Sequence, residues 1–366
     1  MKRKNAISLI VLVITIIVMA ILATTIIITL SNTNIISQAK DAVEKTESQQ
    51  IEEAKTIMLA DGMMGNKPEP ITIGDITLTW NESEKRVIVV ETKNTEKYGV
   101  IIPEGFGYVE GTKDTGLVIE DKEGNQFVWV PVEYTLTEGE TPDSKTGLYT
   151  SFINIFRKGD RPQYYEPYEI DELEYDSMRL SVQKYHGFYI ARFESGDGNS
   201  STQRNIATSL KDNEKIVSKK GAIVYNYVPW GQDYKTIKPG NITYYDLSLK
   251  KYITVTNVPG AVYLAKNMYK DSKSVVSTLC YGVQWDATMN FVSSESHNIK
   301  NMKSWGNYDG VIQVCGNSET WKAKNIYDLS GNICEWTMEG GETYDYDENQ
   351  VMTTYYNRVF MGRSIQ

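Results

Sequence analysis

The run Asn325-Ile326-Tyr327-Asp328-Leu329-Ser330-Gly331-Asn332-Ile333-Cys334-Glu335-Trp336 joins a turn to a strand in one short stretch. Asp328 to Gly331 reads as a tight turn, because Gly331 supplies the unrestricted φ that such a turn uses. Beyond it, Ile333 and Glu335 alternate with Cys334 and Trp336, the two-residue period of a strand. Asp328, Gly331 and Trp336 are therefore expected to fix the local fold. Asn332 and Glu335 offer two oxygen ligands that, with backbone carbonyls, could hold a hard cation such as calcium. The alternative is a buried Asn and Glu satisfied by backbone amides. Asp328 and Glu335 share one turn-strand unit, which suits them to holding the fold or an ion better than to acid–base work across a substrate.

Upstream of this run, the chain after Pro103 is rich in Tyr, Trp, Gly and Asn, with short β-prone runs at Gly116–Ile119, Phe127–Val132, Gly187–Phe193 and Ala222–Val228. Helical patterns fall at Val258–Tyr269 and Val283–Val292. Many loops and few helices indicate an irregular α+β domain. The acidic, tyrosine-rich Glu166–Asp176 reads as a solvated loop rather than a cation site. Before Pro103, Ile73, Ile76, Leu78 and Trp80 alternate, and a polar Asn81–Arg86 turn leads into Val87–Thr92. That is a β-hairpin pattern, and nothing in it looks chemical. Earlier still, Ile35, Ala39, Ala42, Val43, Ile51, Ala54 and Met58 recur at helical spacing, and Gly62, Gly65 and Pro68 end that helix.

At the start of the chain, Ala6–Leu30 contains no charged residue and is apolar all the way round the helical turn, enough to cross a hydrocarbon core of roughly 30 Å. Lys2, Arg3 and Lys4 precede it and Ser31–Ser37 carry no charge, so the N-terminus is expected in the cytoplasm and the rest outside the cell. The run is longer than a cleavable signal's apolar region and shows no small-x-small site before Leu30.

The 366 residues hold 38 Lys and Arg against 47 Asp and Glu, a formal charge of -9, with no basic block beyond the N-terminal flank. Nucleic acid is thereby excluded as an expected partner. Cys280, Cys315 and Cys334 are widely spaced, and the only histidines are His186 and His297, so no zinc pattern exists. One extracellular disulfide and three inert core thiols both fit the cysteines. No Gly-rich phosphate loop or His-based metal helix is present.

Two stretches resemble known families. Lys4-Asn5-Ala6-Ile7-Ser8-Leu9-Ile10-Val11-Leu12-Val13-Ile14 resembles the N-terminal helix of type IV pilins and pseudopilins, in a variant found in Gram-positive bacteria. That resemblance implies a prepilin processing site between Ala6 and Ile7 and assembly into a pilus-like filament. Here Ala6 replaces the family's glycine and Val11 its glutamate, so the carboxylate that drives register in a filament is missing. The expectation is a retained, pilin-like anchor. From Phe127 to Ser364 the chain resembles the formylglycine-generating enzyme, or sulfatase-modifying factor, family, a variant of the C-type lectin fold. The matching segments are Phe127–Val132, Gly187–Glu194, Gly282–Thr288, Asn325–Trp336 and Arg358–Ser364. This resemblance implies bound calcium. It also implies sulfatase maturation through a copper-binding cysteine pair beyond the last segment. The chain stops at Gln366 and none of its cysteines matches that pair, so copper is not expected and the domain reads as C-terminally truncated.

The sequence therefore predicts four parts: a cytoplasmic flank and transmembrane helix over 1–30, an extracytoplasmic amphipathic helix over 31–64, a β-hairpin spacer over 65–102, and a lectin-fold domain over 103–366. Its 25 Tyr and 7 Trp suit stacking on a glycan or docking an extracellular protein. The leading expectation is a membrane-anchored, non-catalytic binding protein. A sulfatase-maturing enzyme and a pilin subunit are its rivals.

Overall fold

A computed structural model of the chain describes residues 35–156, 172–198, 215–225, 228, 240–246, 249–258, 260–298, 300–333, 335–346 and 352–361. The expected anchor with Ala6 and Ile7 lies outside these residues, as do Cys334 and Gly362–Ser364. Helices and sheets are mixed in an α+β fold. The chain divides into two compact units, residues 1–87 and 88–366.

The first unit is built on α1 (Ile35–Met63). Among the described residues no helix is long and apolar enough to cross a membrane. The stretch expected as one strand from Ile71 to Trp80 is itself a hairpin: β1 (Ile71–Ile73) pairs antiparallel with β2 (Ile76–Asn81) across a tight turn at Gly74, whose φ is +57°. The anticipated polar turn follows, with Asn81 Oδ1 accepting from Ser83 Oγ at 2.7 Å and from Glu84 N at 3.0 Å. Both strands pack against α1, on which Ala54 and Met58 are buried.

Gly62 does not end α1, which runs one residue further and closes with Gly65 at φ +85°. The reason is steric. A Cβ at Gly62 would lie 2.4 Å from the Trp80 ring, so the glycine lets the indole lie flat against the helix. Gly62→Ala is expected to destabilise this unit by about 1–3 kcal/mol through overpacking, although Ala favours helix by about 1 kcal/mol. Thermal melting with Trp80 emission as the probe checks this; a stabilised variant with unchanged emission would contradict the packing.

The strand β3 (Arg86–Glu91) carries the chain across the border at Val87, and β4 (Thr95–Lys97) with β5 (Val100–Ile102) forms a short hairpin in the second unit. The scaffold of that unit is an antiparallel sheet of β6 (Phe106–Glu110), β7 (Val118–Asp121), β8 (Gln126–Pro131) and β9 (Gly187–Ala191), in that order. Strand alternation gives the sheet two apolar faces. Val118, Val128, Val130 and Phe188 face one cluster, while Ile119, Trp129 and the partly buried Phe127 and Tyr189 face another. Each fully buried side chain contributes roughly 1.5–3 kcal/mol of transfer energy.

The first face is covered by α2 (Thr150–Ile155), α3 (Glu172–Tyr185) and, beyond three short strands and a ribbon, α5 (Gly282–Val292). The short strands β10 (Gly196–Asp197), β11 (Ile216–Val217) and β12 (Ile223–Val224) form a small sheet, and β13 (Gly240–Asp246) pairs with β14 (Lys251–Val258). The helix expected over Val258–Tyr269 is shorter, α4 (Ala261–Asn267), because Val258 closes β14 and Gly260 caps the helix in extended backbone. Glu172–Asp176, expected as solvated loop, opens α3 instead. Tyr175, Met178 and Val182 give that helix a core-facing stripe, and Glu172 and Glu174 fall in its first turn, where carboxylates are favoured. Among the described residues of Ala222–Val228, only Ile223 and Val224 form strand. The chain then pairs β15 (Lys322–Ala323) with β16 (Ile326–Tyr327), and β17 (Glu335–Tyr346) with β18 (Met352–Met361).

Candidate functional site

The Asn325–Trp336 run sits where β16 leads into β17. The expected tight turn is present, but left-handed backbone extends past Gly331 (φ +81°): Asp328 has φ +58° and Asn332 φ +60°. Strand begins only at Glu335, so Ile333 belongs to the turn rather than to the alternation expected of it. Two constraints meet at Gly331. A Cβ there would lie 2.0 Å from the carbonyl oxygen of Asn307, and Asn332 N donates to that same oxygen at 2.9 Å. Glycine is required by the close approach as well as by the dihedral.

Asn332 is buried, and its amide uses its full hydrogen-bonding capacity within the protein. Its Oδ1 accepts from Asn307 Nδ2 at 2.9 Å and from Gln313 N at 2.8 Å. Its Nδ2 donates to Glu194 Oε2 and to Gln313 O, the latter at 3.3 Å. No lone pair remains for a cation. Glu335, the other expected ligand, lines a cavity described below. Both acceptor sites of the Asn332 side chain are thus taken up within the protein, and among the described residues no group of three or more His, Cys, Asp or Glu side chains could hold a metal ion. Calcium added to the chelator-treated protein is expected to leave its melting midpoint unchanged. A saturable rise of several degrees, lost in Asn332→Ala, would restore the ion.

Beneath Asn332 lie two carboxyl groups and a thiol. Glu194 also accepts from Ile333 N at 3.3 Å, Asp328 Oδ2 accepts from Gly316 N at 2.6 Å, and Cys315 Sγ donates to Glu194 O at 3.3 Å. Asp328 Oδ1 is buried without a partner among the described residues. Burial pushes Asp328 up to about 6. Burial, and then Asp328, hold Glu194 well above the usual carboxylate range against the lowering effect of Asn332 and Ile333. Burial followed by both carboxyls raises the Cys315 thiol far above its usual range, which disfavours the thiolate. Cys280 is half-buried, and its Sγ donates to the carbonyl oxygen of Tyr281 at 3.3 Å.

Asp328 gives a signed prediction. Its pKa is raised on folding from 3.8 to about 6, so its contribution is intact at low pH and is lost as pH rises across that window. Ionisation there costs on the order of 3 kcal/mol. Asn tolerates the left-handed backbone and keeps an acceptor for Gly316 N. Asp328→Asn is therefore expected to be more stable than the wild type at neutral pH, by about 1–3 kcal/mol, with the gap closing toward pH ~4. Denaturant melts across pH check this; a variant less stable at every pH would contradict it.

The cavity of about 280 Å³ lies within the second unit and is lined from both apolar clusters of the sheet, by Phe127 and Tyr189 of one and by Phe188, Ile190 and Trp285 of the other. Its size is near the lower end of small-molecule pockets. Phe106, Phe127 and Tyr269 form an edge-packed aromatic wall with centroids 5.4–5.9 Å apart. The Tyr269 hydroxyl donates to Asp121 Oδ2 at 2.7 Å, and Asp121 is held in turn by Asn125, so this wall is anchored. Trp285 from α5, Trp336 from β17 and Tyr189 from β9 add further rings. Trp336 Nε1 donates to Val228 O at 2.8 Å, and Tyr189 OH to Ile101 O at 3.0 Å. Polar lining comes from Glu194, Ser195, Ser277, Thr278, Gln284 and Glu335.

No family model, curated protein or solved structure matches this chain. The site therefore has to be read from its own chemistry. Among the expected fold residues, Asp328 and Gly331 shape the turn and Trp336 lines the cavity. Glu194, Asn307 and Tyr269 were not singled out from the sequence as site residues. Glu194 had a visible signal, a carboxylate closing the β-prone Gly187–Phe193 run. The partners of Asn307 and Tyr269 lie 25 and 148 residues away, beyond any local pattern.

Proposed function

We propose that this chain is a cell-surface protein anchored through Ala6–Leu30, whose second unit is a non-catalytic binding domain of the C-type-lectin-like, formylglycine-generating-enzyme-like kind. The observation that carries the binding reading is the cavity, walled by anchored aromatic side chains with a few polar groups among them. Such an arrangement suits a ligand that buries an apolar or aromatic group and orients it by hydrogen bonds. The ligand we favour is an extracellular protein or small molecule presenting that group, ahead of a bare glycan. The run Asn325–Trp336 supports the family likeness, and its Asn332 acts as a clasp rather than an ion ligand. Cys315, held protonated by burial beside Glu194, lends no support to cysteine oxidation chemistry. The retained pilin-like anchor rests on Ala6 and Val11 in the sequence.

Indole, a neutral aromatic probe, tests the cavity. At about a hundred times its Kd it is expected to stabilise the protein by roughly 2.7 kcal/mol. Ala265→Phe, which plugs the cavity from α4, is expected to abolish that shift. Absence of any shift at millimolar indole would overturn the binding reading. Alkaline extraction of membranes tests the anchor: the full chain should stay in the pellet, and a chain starting at Ser31 should be released.

A further inference from the structure

We infer that residues 273–279 form a lid over the cavity of the second unit, with Val276 as its apolar tip, and that the lid closes onto a bound group. This rests on the binding reading above and adds the part of the site that moves. Residues 275–280 line the cavity as one unbroken stretch, the longest that any segment gives it. Val276 is nonetheless 92% exposed. A side chain that borders the cavity and stands in water is at its mouth.

This stretch and the cavity walls are held in different ways. Tyr189 belongs to the ladder between β8 and β9, and Tyr269 is anchored through its hydroxyl on Asp121. By contrast, among the described residues no backbone group of 273–279 bonds to another backbone group. Serine hydroxyls tie the stretch instead. Ser272 Oγ accepts from Ser274 N at 3.3 Å and from Val275 N at 3.2 Å. Ser274 Oγ donates to Glu104 O at 3.2 Å, and Ser277 Oγ accepts from Tyr269 N at 3.2 Å. Single bonds of this kind exchange for water at little net cost, so the stretch can move while the sheet stays folded.

Both ends of the stretch are gripped. At one, Ser272 N donates to Tyr269 O at 3.0 Å, and the partly buried Val275 packs in the cluster of Phe106 and Trp129. At the other, Leu279 packs against the second apolar cluster, and Cys280 O accepts from Met338 N at 3.0 Å. Val276 lies between the two grips, pointing outward, which is the open form. A bound apolar group supplies the driving force for closure, because it gives Val276 atoms to touch and lets it leave water. Closure and binding are then linked: the ligand shifts the lid toward the closed form by as much as it prefers that form.

Thiol accessibility on the full chain decides the matter, with indole as the bound group. Val276→Cys replaces an exposed side chain, and mass spectrometry separates its labelling by a maleimide from that of the natural cysteines. Labelling tracks the open population, so saturating indole is expected to slow it at least about fivefold. Unchanged labelling, with indole still raising the melting midpoint, would overturn the lid and leave the cavity's binding role standing. No rise in the midpoint of the wild type would overturn both. Hydrogen exchange of the wild type gives an independent reading should the variant fail to fold or to bind. The amides of residues 276–279 are expected to exchange at least about threefold more slowly with indole, and equal rates would overturn the lid.

Discussion

The backbone of Asn307 approaches Gly331 so closely that no side chain fits between them, and much of the second unit is organised around that approach. Asn332 follows immediately, in left-handed backbone, and its amide ties together four groups from three segments: Asn307, Gln313 twice, and Glu194. A primary amide has two donors and two acceptor sites, and here all four are used. Buried polar groups are stabilising only when so satisfied, and a fully satisfied hub specifies one arrangement of the segments it joins. Glu194 leads from β9 toward the small sheet, Asn307 and Gln313 belong to the long loops after α5, and Asn332 precedes β17. The clasp is what lets a loop-rich chain hold a fixed geometry.

That geometry places the cavity. Strand β9 ends at Ala191 and β17 begins at Glu335, and both segments contribute lining residues next to the clasp. Fixing Glu194 against Asn332 therefore fixes the positions from which Glu335 and Trp336 reach the cavity. The opposite wall is anchored independently, through the Tyr269 hydroxyl on Asp121 and the hydrogen bonds of Asn125 to Asp121 and Ser218. A pre-formed cavity of this kind spares a ligand the entropy of ordering its site.

Much of this was legible in the sequence where local physics rules. Gly331 at a turn, the Phe127–Val132 and Gly187–Phe193 strands, and the Val283–Val292 helix all appear within a residue or two of their expected places, because alternation and turn chemistry are short-range. Local reading failed where the decisive partner is remote or the signal is mixed. Ile71–Trp80 alternates as one strand, yet Gly74 folds it in two. Gly62 looked like a helix terminator and is a seat for Trp80. Asn332 and Glu335 looked like a ligand pair by spacing, but left-handed backbone at Asn332 turns its amide toward Asn307 and Glu194 instead. The cavity itself was invisible, since its lining spans Pro103 to Trp336.

Native-state hydrogen exchange at single-residue resolution tests the clasp most directly, because protection reports how much of the unit must open to free each amide. The amides of Gln313, Gly316 and Asn332 all lie in loop or turn, and all donate to buried acceptors of the clasp. They are predicted to exchange as slowly as the central strands β7 and β8, through global opening alone. Exchange at the rate of the exposed loops, with the strands still protected, would contradict the account.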